Sequence, residues 1–161
     1  SRGLIGYQNK FLTDTKGTGV LNRLFNKYDT YKGNIIGRKY GALISTDTGS
    51  AAAYAIFNLQ DRGVMFIGHQ TKVYTGMVVG EHSRDNDLEI NVIKGKQLTN
   101  VRASGTDEAV RLTPPRNMSL EEMMAYINED ELLEVTPNNL RLRKRYLSAV
   151  ERKRDRKSKS L

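Results

Sequence analysis

The alternation of hydrophobic and polar positions predicts both helices and strands from the start of the chain. Apolar side chains recur at helical spacing between residues 3 and 15, which predicts a helix there. Residues 19–31 carry bulky and β-branched side chains in a run that is typical of a long strand. The Gly-rich, basic stretch over residues 32–41 is expected to connect two domains.

The middle of the chain alternates short apolar runs with one amphipathic segment. Helical spacing predicts a helix over residues 50–62, with Thr48 or Ser50 as its N-cap and Gly63 at its C-terminal end. Strands are predicted at residues 42–46, 64–67, 73–80 and 109–113.

The last third of the chain begins with a clear helix start. Ser119 and Glu122 have the spacing of a capping box, in which each side chain accepts a hydrogen bond from the backbone N–H of the other residue. Met118 and Met123 can form the matching hydrophobic staple. A hairpin is predicted with strands over residues 132–135 and 140–145. The predicted fold class is therefore α+β.

Composition excludes several kinds of chemistry. The 161 residues are 38% hydrophobic and include no cysteine, which rules out disulfides, thiolate metal sites and a cysteine nucleophile. With only two histidines, a zinc site is not expected. No apolar run reaches the roughly 20 residues of a membrane span, and no secretory signal is visible. We expect a monomeric, cytoplasmic protein with no membrane partner.

The net charge of +8 is concentrated at the end of the chain. Residues 141–161 contain ten Lys or Arg against Glu151 and Asp155, so residues 1–140 are neutral overall. Such a block attracts phosphate and is often an interaction tail. The alternative for the last ten residues is a solvated, non-specific tail.

A long polar segment without aromatic residues covers residues 80–105. Its first part is acidic around Arg84, and its second part carries only positive charge. Long loops in compact domains are usually functional, and cations and amides suit contacts with RNA phosphates and base edges. We expect a loop that is mobile until RNA orders it. The alternative is an ordinary solvent-exposed loop.

Two short motifs raise an enzymatic alternative. An Asp-Thr-Gly motif starting at Asp47 follows an apolar strand, as in small dimeric aspartic proteases, although a strand-to-helix turn explains the same residues. His82, Ser83 and Asp85 have the residue types of a hydrolytic triad but lie too close in sequence to reach its geometry easily. No Gly-rich sequence ends in Gly-Lys-Ser/Thr, so nucleotide hydrolysis is not expected from this chain.

Five blocks of sequence, taken in order, carry a resemblance to a known family. They are SRGLIGY (1–7), AIFNLQDRG (55–63), GEHSRDNDL (80–88), GKQLTNVRAS (95–104) and RLTPP (111–115). Together they resemble the C-terminal part of the BipA/TypA family of ribosome-associated translational GTPases. The resemblance covers nearly all of residues 1–147.

The resemblance implies a domain division. Residues 1–40 would be the second half of a ferredoxin-like domain similar to domain V of elongation factor G. Residues 41–147 would be the family-specific, β-rich C-terminal domain with a few helices, followed by a basic tail over residues 148–161. GTP and Mg would bind a GTPase domain upstream, so this chain is expected to have no enzymatic activity and no cofactor.

The resemblance also implies a partner and a site. The chain would dock at the ribosomal A site, with residues 82–102 reaching toward the peptidyl-transferase region and contacting large-subunit rRNA and the acceptor end of A-site tRNA. A general basic nucleic-acid-binding protein remains an alternative. The candidate RNA-binding residues are His82, Ser83, Arg84, Lys94, Lys96, Asn100, Arg102, Arg141, Arg143, Lys144 and Arg145.

Overall fold

A computed structural model describes residues 4, 7–31, 33, 38–95 and 111–159, and it has helices and strands in mixed order. The helices are α1 (Tyr7–Asp14), α2 (Ala53–Leu59), α3 (Leu120–Tyr126) and α4 (Ala149–Lys159), with a 3₁₀ turn at Gln60–Arg62. The strands are β1 (Ala42–Ser45), β2 (Gly49–Ser50), β3 (Gly63–Met65), β4 (Lys72–Val73), β5 (Met77–His82), β6 (Leu88–Ile90), β7 (Glu131–Val135) and β8 (Leu140–Lys144). The predicted α+β class is confirmed.

β5 is the central strand of the main sheet. It pairs antiparallel with β1, β3 and β8, and the strand order is β6-β1-β5-β8-β7 with β3 also paired to β5. β1 and β6 run parallel, which makes the sheet mixed. β2 and β4 form a separate two-stranded sheet.

Neighbouring residues of β1 and β5 pack into two different cores. Leu43 and Val79 join one core together with Ile56 of α2. Ile44 and Val78 join the other core, which includes Tyr126 at the end of α3. Successive side chains of a strand point to opposite faces, so the sheet is covered on both of them. Each fully buried aliphatic side chain contributes about 1.5–3 kcal/mol.

The start of α2 differs from the prediction. Its N-cap is Ala52, which offers no side-chain hydrogen bond. Ser50 is instead part of β2, and the hydroxyl oxygen of Thr48 accepts a hydrogen bond from the N–H of Thr75. The predicted caps are wrong because strand pairing and a loop contact use these residues. Gly63 does end the helical region, and a Cβ there would overlap the carbonyl oxygen of Glu81.

The local signals in the last third of the chain are confirmed. The Ser119 hydroxyl accepts a hydrogen bond from the N–H of Glu122 at 3.2 Å, and the Glu122 carboxylate accepts one from the N–H of Ser119 at 2.8 Å. Met118 and Met123 both pack in the core beside α3. β7 and β8 form the predicted hairpin, within one residue of each predicted boundary.

Two predicted strands are wrong. Residues 19–31 form no regular element, and Leu24 and Tyr28 are 93% and 94% exposed. A strand is stabilised by its neighbours, and none of the described strands pairs with this segment. Residues 111–113 are also not in a strand, because the N–H of Thr113 bonds to the side-chain oxygen of Gln60. The remainder of that prediction, residues 109–110, lies outside the described residues.

Candidate nucleic-acid interface

The acidic first part of the polar segment belongs largely to the sheet. β5 extends to His82, residues 83–87 form a bend, and β6 then pairs with β1. The bend lies against Gly41, where a Cβ would overlap the carbonyl of Asn86. The prediction of one continuous loop over residues 82–102 is therefore wrong for residues 88–90, since they pair with β1. Residues 96–102 lie outside the described residues.

The structure places His82 in the interior, where it stabilises the bend. Its side chain is buried, and its Nδ1 lies 2.6 Å from the carbonyl oxygen of Asn86. This contact also replaces the His–Asp hydrogen bond that a hydrolytic triad with Asp85 would require. Ser83 and Arg84 follow directly and are exposed, so their side chains are accessible to a partner.

Lys144 lies in the interior, which argues against its predicted role as a phosphate contact. Its side chain is 1% exposed, and Nζ lies 2.7 Å from Asp87, 2.8 Å from Asp130 and 2.9 Å from Glu131. Burial alone would lower the pKa of Lys144, but the charge of Glu131 and the hydrogen bonds to Asp130 and Asp87 raise it above its ordinary value. The ammonium group is already neutralised by three carboxylates.

Arg38 joins the same charges from the residues before β1. Its Nη1 and Nη2 each lie 2.5 Å from an oxygen of Glu131, and its guanidinium group stacks 4.5 Å from the centre of the Tyr126 ring. Burial favours the neutral form of Asp87, but the hydrogen bond from Lys144 and the charge of Arg38 contribute to a lowered pKa of Asp87. The five residues of this buried charge cluster are Arg38, Asp87, Asp130, Glu131 and Lys144.

The three arginines of the hairpin differ in accessibility. Arg143 is partly buried, and its Nε lies 2.9 Å from Glu134. Arg141 lies opposite Glu134 in the β7–β8 register and is half-buried. Arg145 is exposed, with one N–H donated to the carbonyl of Glu129. Of the three, Arg145 presents the most accessible guanidinium group.

A group of hydrogen bonds holds the start of the basic second part of the polar segment. The Asn91 side-chain oxygen accepts the backbone N–H groups of Ile93 and Lys94, both at 3.0 Å. Its amide nitrogen donates to Asp47 at 2.6 Å, and Thr46 donates to the same carboxylate oxygen at 2.7 Å. We call these five residues the loop base. Because an Asx side chain bonded to the following N–H groups fixes a turn, the loop base directs the chain out of β6 and leaves Lys94 exposed.

The predicted site residues that the structure describes lie in several elements. Arg84 precedes β6 and Lys94 follows it, so the two residues lie beyond opposite ends of this strand. Three further predicted residues lie outside the described residues: Lys96, Asn100 and Arg102.

The sequence reasoning missed the role of the final basic block. Residues 149–159 of this block form α4, and most of their side chains are exposed. Arg152 is only 8% exposed and donates to Glu89 at 2.9 Å. No local pattern signals this pair, because the two residues are 63 positions apart in the chain.

Comparison with known proteins decides the family. Residues 40–149 match the family model described as the TypA/BipA C-terminal domain. The chain belongs to the TypA/BipA family. Among its relatives are proteins named large ribosomal subunit assembly factor BipA from Buchnera aphidicola (subspecies Schizaphis graminum), Salmonella typhimurium and Escherichia coli K12, which are 54%, 53% and 52% identical. Each comparison covers 96% of this chain and 26% of the relative, so the chain spans about a quarter of their length.

Membership of the TypA/BipA family confirms the resemblance carried by the five sequence blocks. The loop base supplies a structural explanation for the Asp47 motif, since its carboxylate accepts hydrogen bonds from Asn91 and Thr46. In the part of the chain that the structure describes, no helix is both long and apolar enough to cross a bilayer. Over the same ranges, no group of three or more His, Cys, Asp or Glu is placed to hold a metal ion.

Proposed function

We propose that this chain is the ribosome- and RNA-binding module of a translational GTPase. The observation that carries the proposal is its similarity, at 52–54% identity over 96% of its length, to relatives named as large ribosomal subunit assembly factors. A shared sequence at this level supports a shared partner, since more than half of the aligned residues are identical. The partner of this chain is then the ribosome.

The geometry supports one part of the chain as the RNA contact. The loop base holds Lys94 exposed where the basic part of the polar segment begins. The residues that follow include Lys96, Asn100 and Arg102, which supply cations and an amide for phosphates and bases. This segment reaches toward the peptidyl-transferase region from the A site and contacts large-subunit rRNA and the acceptor end of the tRNA. Arg84 provides a contact at the other end of β6.

The domain division belongs to the same proposal. Residues 1–40 are the second half of a domain resembling domain V of elongation factor G, and residues 41–147 are the family-specific domain. GTP and Mg bind the GTPase domain of the whole protein. The residues of this chain do not fit a nucleotide site, because the sequence has no Gly-rich loop ending in Gly-Lys-Ser/Thr. No step of GTP hydrolysis is therefore assigned to it.

A pair of lysine substitutions tests the proposal. Lys94→Gln should weaken binding to purified bacterial 50S subunits and reduce the slope of log K against log salt by about one unit, because one phosphate contact is lost. Lys72→Gln is the matched control, since Lys72 is also exposed and its loss changes the net charge equally. Failure of the unmodified chain to bind 50S subunits, or equal effects of the two substitutions, would contradict the proposal.

A further inference from the structure

α4 lies against the acidic first part of the polar segment. Arg152 faces the domain, and its guanidinium group donates to Glu89 and to the carbonyl oxygens of Tyr146 and Leu147, at 2.9, 3.0 and 2.6 Å. One helical turn later, Arg156 lies 3.4 Å from Asp87. These contacts fix the inner face of the helix.

This docking changes the charge that the domain presents. β6 and the preceding bend carry Glu89, Asp87 and Asp85, and unpaired carboxylates there would repel a phosphate backbone. Arg152 pairs with Glu89, and Arg156 pairs with Asp87. The helix therefore partly neutralises a surface that opposes RNA binding, while Glu89 stays exposed beside it.

The opposite face of α4 is cationic. At 100° per residue, Lys153, Arg154 and Lys157 lie together on the side away from Arg152, and all three side chains are exposed. Lys153 and Lys157 are one turn apart, where like charges destabilise a helix. A polyanionic partner would remove this repulsion by binding between them.

Helices that lie on membranes carry Trp, Phe or Leu on one face, whereas Val150 is the only aliphatic residue exposed on α4 within the described residues.

We propose that α4 is a phosphate-binding helix that docks RNA through Lys153, Arg154 and Lys157, and that Arg152 and Arg156 position it over the acidic residues of β6 and its bend. The inference rests on the proposed ribosomal function and adds a second RNA surface, separate from the loop base. Charge complementarity to the phosphate backbone selects RNA as the partner.

The first test removes the outer charges of α4 from the full chain. The double variant K153Q/R154Q should bind 50S subunits and isolated large-subunit rRNA roughly tenfold more weakly, with the salt slope reduced by about 1.5–2 units. The control is K16Q/K72Q, which removes the same charge from two other exposed lysines. If K153Q/R154Q binds like the control while the unmodified chain still binds, the role of α4 is wrong and the ribosomal proposal stands. If the unmodified chain does not bind, the ribosomal proposal itself fails.

Two partner measurements separate RNA from other anionic surfaces. A loss of 50S binding without a loss of rRNA binding would mean that α4 contacts a ribosomal protein, and would overturn the inference. Equal loss of binding to phosphatidylserine vesicles and to rRNA would show a general anion surface and would also overturn it. Loss confined to the RNA-containing partners supports it.

The second test separates a positioned helix from net charge. Glu89→Gln raises the net charge, so attraction by net charge alone predicts tighter RNA binding. If Arg152 positions α4 through Glu89, binding should instead weaken, and trypsin should cleave faster at Lys153 and Arg154. Glu121→Gln is the control, because Glu121 is exposed on α3 and its loss changes the charge equally. Tighter binding of E89Q than of E121Q, with unchanged cleavage, would overturn the positioning role.

Discussion

Lys144 shows how a single basic residue can lie in the interior with its charge already paired. Its ammonium group is enclosed by Asp87, Asp130 and Glu131. Removing the cation would leave the carboxylates of this cluster incompletely neutralised, with Arg38 as its remaining cation, and uncompensated buried charge is strongly destabilising. The sequence contained the relevant signal, because the alternation that turns Leu142 inward also turns Lys144 inward.

Lys144→Met should therefore destabilise the domain by about 3–5 kcal/mol in urea unfolding, because it leaves Arg38 as the remaining buried cation for the carboxylates of Asp87 and Glu131. Arg145→Met, at the next and exposed position, should change stability by no more than about 0.5 kcal/mol. Equal effects of the two substitutions would show that the buried charge cluster does not support the fold.

The lowered pKa of Asp87 predicts a dependence of stability on pH. The pKa is lower in the folded chain than the roughly 3.9 of an unfolded Asp, so the ionised carboxylate stabilises the fold above about pH 4. That contribution is lost as the pH falls through the folded pKa. The difference in unfolding free energy between the unmodified chain and Asp87→Asn should shrink below pH 4. A constant difference from pH 7 to pH 3 would contradict this account.

At the scale of elements, local signals were predictable and long-range ones were not. The capping box at Ser119 and the β7–β8 hairpin depend on residues a few positions apart, and both were predicted. β6 was missed because its three residues pair in parallel with β1, which precedes it by about 45 residues. The contact of α4 with Glu89 was missed because it joins residues 63 positions apart. The strand predicted over residues 19–31 was wrong because none of the described strands pairs with this segment.

The loop base gives a prediction at this scale. Asn91→Ala removes the acceptor for the N–H groups of Ile93 and Lys94, so the direction of the chain beyond β6 is no longer fixed. If Asn91 acts by positioning Lys94, N91A should weaken 50S binding, and adding Lys94→Gln should have less effect than it has alone. A double-mutant cycle measures this coupling. Additive effects would mean that the two residues act independently.

At the scale of the whole molecule, one covered sheet supports two separate cationic features. The loop base begins the basic segment beyond one end of β6, and α4 covers the carboxylates of β6 and the bend before it. The buried charge cluster connects Arg38, the bend and the hairpin, so the surfaces that bind RNA in our proposal lie on a fixed frame. Net charge alone indicated a nucleic-acid partner, but only the fold separated the cations that are accessible from those already paired.

The central claim is that this chain binds the ribosome through accessible cations. The most direct test is a titration of the 161-residue chain with purified 50S subunits at several salt concentrations. We predict saturable binding whose log K falls linearly with log salt, with a slope reduced in both Lys94→Gln and K153Q/R154Q. Absence of binding, or an affinity that does not change with salt, would contradict the account.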